Sequence, residues 1–278
     1  MKKTLLALGL CAFVAVLAVP AVSAHDGRDP EDNFEIEGHL GFYWNLRFPT
    51  NVNENPAYTT FLNDTTNPDF FPLFRPQIRS KDFRWHWGLR VSGDVSPRFS
   101  LEYTFEMSQG DNFRFNRDYI NTVLPERLAA VPALTVRRLR DDSGHILVHH
   151  GNLVFHTRES GKLIPYVTGG LTVIQYGEGP LIDLFFTDGS NESDVFGYEN
   201  RHTKVGGNIG GGLKYYATRH IGVRGDARFV LTPSRFTQRG AIIRPTGAPT
   251  DTFGPDVTQT QRGLYSNIHF SFGVFGRF

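Results

Sequence analysis

Thiols are almost absent from this chain: Cys11 is the single cysteine in 278 residues, so the fold cannot rest on disulfides. Net charge is equally scarce, with 29 basic residues against 28 acidic ones. That balance removes the electrostatic footprint expected of a nucleic-acid-binding protein. Methionine is reduced to two residues. No stretch of useful length carries apolar residues at helical spacing, so strands must build the fold. Beyond the N-terminus no apolar run is long enough to cross a membrane as a helix.

Aromatic residues and glycine fill the space left by these absences, with 24 Phe and 29 Gly. The N-terminus sets the compartment. Lys2 and Lys3 precede an apolar run from Leu5 to Val19, and Ala21-Val22-Ser23-Ala24 supplies small residues for cleavage. This reads as a secretory signal peptide over residues 1–24, followed by a short periplasmic tail over 25–33. Leu10 is too bulky before Cys11 for a lipoprotein signal.

From Phe34 onward apolar and polar residues alternate with the period of two that marks a strand with one greasy and one polar face. The pattern predicts strands at Phe34–Phe48, Phe83–Val95, Phe99–Ser108, Ile146–His156, Leu163–Tyr176, Val205–Ala217, Ile221–Leu231 and Leu264–Phe278. The fifth is irregular, because Ile164 and Ile174 fall on its polar face and Pro165 stands near its start. The connections alternate long and short. The long ones lie near 49–80, 109–144, 177–202 and 232–261, and the short ones centre on Ser96-Pro97-Arg98, Arg158–Lys162 and Thr218–His220. In a transmembrane barrel the short turns face the periplasm and the long loops face outward. The expectation is an all-β, eight-stranded antiparallel up-and-down transmembrane β-barrel over residues 34–278. A ten-stranded barrel is the alternative, with Leu134–Arg140 and Arg117–Leu124 supplying the extra strands.

The segments Pro165–Leu171, Gly210–Tyr216 and Val223–Arg228, with a final strand ending on Phe278, resemble the outer-membrane β-barrel family of small barrels similar to the outer membrane protein A transmembrane domain. Gly276 departs from that family's aromatic preference near the C-terminus. The resemblance implies an integral outer-membrane location in a Gram-negative-type bacterium and contact with outer-membrane lipids and lipopolysaccharide. It also implies handling by the barrel-assembly machinery, with Phe278 as the assembly signal. It says little about activity, since such barrels serve as scaffolds, porin-like channels, adhesins and enzymes.

The inward face then carries Glu37, Arg84, Arg90, Glu102, Glu106, Lys214, Arg224, Asp226 and Arg228. Eight strands enclose little more than their own side chains, so these charges are expected to form a salt-bridged network plugging the lumen. Gly210 and Gly212 should face Arg228 and Asp226 and make room for them. His39, His86, His150, His156 and His269 also point inward, but no pair has a metal-site spacing along the chain, and no metal or cofactor is expected. The acidic run from Asp188 to Asp194 does not match a full calcium-loop pattern. His269 and Ser271 share a face, yet no Glu follows Ser271 to complete a hydrolase set of the barrel-deacylase kind, so no catalytic residue is assigned. Arg137, Arg138 and Arg140 offer a basic cluster for lipopolysaccharide phosphates. The reading is a non-enzymatic envelope protein with a structural or surface-interaction role. A small passive channel is the alternative, and a lipid A-modifying enzyme a more distant one.

Overall fold

The computed structural model describes residues 33–47, 78–80, 83–108, 113–115, 117, 119–129, 134–140, 145–187, 193–199, 203–240, 243–244, 252–253 and 257–278. The segment read as a signal peptide and almost all of the tail expected after it lie outside these residues, as do much of the 49–80 segment and positions 188–192 of the acidic run.

Eight strands form the ring: β1 (Phe34–Arg47), β2 (Phe83–Ser96), β3 (Phe99–Ser108), β4 (Ile146–His156), β5 (Leu163–Tyr176), β6 (Thr203–Tyr216), β7 (Ile221–Gly240) and β8 (Val257–Arg277). Every neighbour pair is antiparallel, and β8 pairs with β1 to close the barrel. At that seam the amide of Phe278 donates to the Phe34 carbonyl at 2.8 Å and the Phe34 amide donates back at 3.0 Å. Closure removes the unpaired edges that an open sheet would expose.

The period of two sorts the side chains as the sequence predicts. Trp85, Leu40, Ile209, Leu171 and Phe272 point outward and are 63–72% exposed, while the alternate positions on the same strands are buried and largely polar. Aromatic contacts run along the outer wall, with Phe105 beside Trp87 and His149 in its middle and others at both ends. Phe99 meets Phe155 beside the short turns, with ring centroids 5.1 Å apart; near the loops Phe42 stacks on Phe83 at 4.3 Å and on Phe270 at 4.9 Å. From Phe34 to Trp44 the strand climbs about 25 Å along the barrel axis at the usual rise and tilt.

The irregular residues of β5 have a physical reason. Ile164 does face inward, where it joins Tyr216 and Phe275 in an apolar layer beside the short turns. Ile174 joins Val148, Tyr176, Ile146, Val230 and Tyr43 in a second apolar layer toward the loops. The lumen is thus polar in its middle and partly apolar at both ends.

The ten-strand alternative is corrected by the pairing. Leu134–Arg140 is a strand, but it pairs with Leu181–Phe186, which pairs with Ser193–Glu199, which pairs with the outer part of β7. These three strands continue the sheet beyond the rim, so the ring stays at eight. The other segment that alternative needs instead holds short helices, Tyr119–Val123 and Leu124–Ala129. The 177–202 and 232–261 connections contain more strand than expected: Leu181–Phe186 pairs with Ser193–Glu199 in the first, and β7 and β8 stay paired out to Gly240 and Val257 in the second. Pro233 lies just past Leu231, the last β7 residue paired with β6, where one edge of the strand has lost its neighbour and proline is tolerated.

Candidate functional site

The lumen is the site, and strand register assembles it. Directly opposite pairs bring Glu37 to Arg90, Gly212 to Asp226, Gly210 to Arg228, and Lys214 to Arg224. The two glycines face the residues expected of them. Gly212 clears space for a long neighbour on its other side as well, since an added Cβ would lie 2.4 Å from the Tyr166 hydroxyl.

Nearest the short turns, Glu35 binds Lys214, accepts from Tyr216 at 2.8 Å and from Arg277 at 2.9 Å, and Arg277 reaches Asp94 at 2.8 Å. One layer further in, Glu102 accepts from Arg224 at 2.6 Å and from Arg228 at 2.7 Å. Asp226 accepts from Arg228 at 2.6 Å and from the Tyr166 hydroxyl at 2.5 Å. Arg90 grips Glu37 through one guanidinium nitrogen at 2.6 and 2.8 Å and donates to Thr104 and Ser271 at 3.2 Å each. Arg224 also lies over the Tyr166 ring at 4.3 Å, a cation–π contact that helps hold a buried guanidinium. Five cations (Arg90, Lys214, Arg224, Arg228, Arg277) therefore meet five carboxylates (Glu35, Glu37, Asp94, Glu102, Asp226) within this lattice. Buried charges persist only when paired and hydrogen-bonded to this degree.

Of the nine charges predicted for the lumen, all are buried, and seven belong to this lattice. Arg84 lies two residues beyond His86 on β2, toward the loops. Glu106 lies elsewhere too: it is ringed by histidines. Tyr43 donates to its Oε2 at 3.0 Å, and the nearest imidazole nitrogens are His269 Nδ1 at 3.0 Å, His39 Nε2 and His150 Nε2 at 3.5 Å each, and His86 Nδ1 at 3.9 Å. No lysine or arginine lies within ion-pair distance of Glu106 among the described residues. The histidines come from four strands, β1, β2, β4 and β8, and the carboxylate from a fifth, β3. His156, the fifth inward histidine, stands apart, 3.5 Å from Ser100.

Space for this cluster comes from a reciprocal exchange between β1 and β2. His39 faces Gly88, and Gly41 faces His86. A Cβ at Gly88 would lie 2.5 Å from His39 Nε2, and one at Gly41 would lie 2.4 Å from His86 Nε2. Both nitrogens of His39, Nδ1 of His86, and Nε2 of His150 and His269 are buried without a hydrogen bond. Each such group left unsatisfied costs about 1–3 kcal/mol.

Sequence reasoning missed Glu35, Asp94, Tyr166 and Arg277 as lattice members. Glu35, Asp94 and Arg277 share the parity of Glu37, Arg90 and Ser271 on their strands, so alternation carried the signal. The histidine convergence had no such signal, because it joins positions spread from His39 to His269. The hydrolase pair does not come together as one unit: Ser271 accepts from Arg90 while His269 turns to Glu106.

No family model and no curated protein matches the sequence. Among solved structures the chain is similar to OprG from Pseudomonas aeruginosa, an outer membrane protein, at 10% identity and a TM-score of 0.47, covering 89% of this chain and 96% of that one. It is also similar to the N-terminal β-barrel domain of Pseudomonas aeruginosa OprF, at 12% identity and a TM-score of 0.37 over 89% and 98% of the two chains. The outer membrane protease OmpT from Escherichia coli is similar at 9% identity and a TM-score of 0.37 over 93% and 99%. The barrel stands on this chain's own strand pairing, independently of these likenesses.

Proposed function

We propose that the chain is an integral outer-membrane β-barrel with a structural or surface-interaction role, its lumen plugged by the ion-pair lattice. The observation that carries this is the inversion of faces: apolar side chains cover the outside while Arg90, Arg224, Arg228 and Lys214 are no more than 2% exposed inside. A soluble barrel places its apolar residues within; a lipid-facing one places them without. The aromatic contacts at both ends and the climb of about 25 Å between them match the height of an outer-membrane apolar band.

The plug is supported by charge matching, by the apolar layer toward the loops and by the Ile164, Tyr216 and Phe275 cluster set beside its Glu35 end. The sheet that continues past the rim through Ser193–Glu199, Leu181–Phe186 and Leu134–Arg140 gives the surface role a built platform. Arg137 and Arg138 are exposed on it, Arg137 with Asp183 at 3.7 Å, whereas Arg140 is engaged by Glu178 and the Gly179 carbonyl. Lipopolysaccharide phosphates are the partner chemistry that such exposed guanidinium groups suit.

The test is single-channel recording of the refolded barrel in a planar bilayer, comparing the unaltered chain with Arg228→Glu. The plug predicts a silent bilayer from inserted, heat-modifiable protein. Steady openings from the unaltered chain that shift with the substitution would replace the plug by a small passive channel.

A further inference from the structure

We propose that Glu106 and the four imidazoles around it form a binding site for one divalent first-row transition-metal ion of the zinc class. The inference goes beyond the plug and survives or fails independently of it.

Ligand chemistry and geometry coincide here. A tetrahedral ion with bonds of about 2.0–2.1 Å to histidine nitrogen and carboxylate oxygen holds its ligands about 3.3 Å apart. The imidazole nitrogens facing Glu106 stand 3.0 to 3.9 Å from its oxygens. The ligand atoms of Glu106, His150 and His269 lie within 4.8 Å of one another, and so do those of His39, His86 and Glu106. Small contractions would close either set on an ion.

The far nitrogens of two rings are anchored as metal-bound histidines require. His86 Nε2 is 3.3 Å from the Phe270 carbonyl, and donation there leaves the lone pair of Nδ1 toward Glu106. His150 Nδ1 is 2.8 Å from Thr172 Oγ1, which leaves Nε2 aimed the same way. Both aimed nitrogens are buried without a hydrogen bond, and both side chains are wholly inaccessible. A neutral polar lumen would be expected to satisfy them; a cation does so directly.

Electrostatics point the same way. Glu106 is held by histidines and Tyr43, with no lysine or arginine within ion-pair distance among the described residues, so an ion here meets a carboxylate that no lattice cation grips. Arg90 and Arg228, the closest lattice cations in sequence register, already hold Glu37, Glu102 and Asp226. All five donors are nearly inaccessible and Glu106 belongs to both sets, so an ion in either set is enclosed and joins three strands across the lumen.

The experiment refolds the full, untagged chain into lipid with Co²⁺ or Zn²⁺, desalts it, and counts metal per heat-modifiable barrel. One ion per folded barrel is expected, with ligand-field bands from the Co²⁺ form that report nitrogen and oxygen donors. Glu106→Gln and the His150→Gln/His269→Gln pair should each weaken retention at least about ten-fold. His149→Gln should not, because that ring faces outward toward the Tyr103 hydroxyl. If Glu106→Gln fails to fold, the histidine pair, which leaves the Glu106 carboxylate in place, carries the same comparison. Folded wild-type barrel that keeps no stoichiometric ion overturns the proposal. So does an ion retained equally by wild type and both lumen variants.

Discussion

At the scale of single residues, the lumen is shaped as much by missing side chains as by present ones. Gly88 and Gly41 are the cross-strand partners of His39 and His86, and neither position leaves room for a Cβ. At Gly88 the carbonyl of Phe105 would lie 2.4 Å from such an atom. Backbone in a closed ring cannot retreat as a flexible side chain could. Gly88→Val should therefore lower stability by about 1–3 kcal/mol, as overpacking does, read as a lower urea midpoint in lipid vesicles. Gly38, which has nothing within 4 Å of the equivalent point, is the control; a Gly38→Val loss as large as that of Gly88→Val would sink the account. The direction each residue faces was legible in the sequence, since alternation fixes it. The pairing of each histidine with a glycine was not, because it depends on the register between β1 and β2. No local pattern specifies that register once both strands alternate throughout.

At the scale of elements, alternation located all eight ring strands, and five of them (Phe99–Ser108, Ile146–His156, Leu163–Tyr176 and, within one residue, Phe34–Arg47 and Phe83–Ser96) begin and end close to where the pattern does. What it underestimated were the outer halves of β7 and β8. Residues such as Thr237, Gln238, Gln259 and Thr260 pair across the hairpin but carry no apolar face, and a period-two reading has nothing to grip there. The same hairpin supports the projecting sheet, through pairs of Gly197, Tyr198 and Glu199 with Arg239, Gln238 and Thr237. Replacing residues 234–262 by a tight turn should thus spare the ring, whose β6–β7 pairs end at Gly207 and Leu231. The shortened protein is expected to keep heat-modifiable migration while the 134–199 region becomes more sensitive to protease. Loss of heat-modifiability would mean instead that the extension is needed for the ring to close.

At the scale of the whole molecule, no strand that carries buried acidic or basic side chains balances them alone. β3 brings Glu102 and Glu106 inward, β1 brings Glu35 and Glu37, β2 brings Arg84 and Arg90, and β7 brings two arginines with one aspartate. Balance exists only in the closed ring, where Glu102 on β3 lies between Arg224 and Arg228 of β7 across the lumen. A hairpin alone would have to bury unmatched charge, so closure and charge matching must come together. Glu102→Leu breaks this junction from one side and strands two guanidinium groups, with Arg90 as a third neighbour at 3.6 Å. Removing one partner of a buried pair typically costs about 3–5 kcal/mol, whereas replacing the pair by apolar groups is often close to neutral. The double change Glu102→Leu/Arg228→Leu should accordingly recover stability relative to Glu102→Leu alone, giving a coupling of at least about 1 kcal/mol in a double-mutant cycle. Urea unfolding in vesicles measures it. Simple additivity of the two losses would show that the lumen is hydrated enough to screen its charges, and that the ring is held by its backbone and its apolar outer wall rather than by the lattice it encloses.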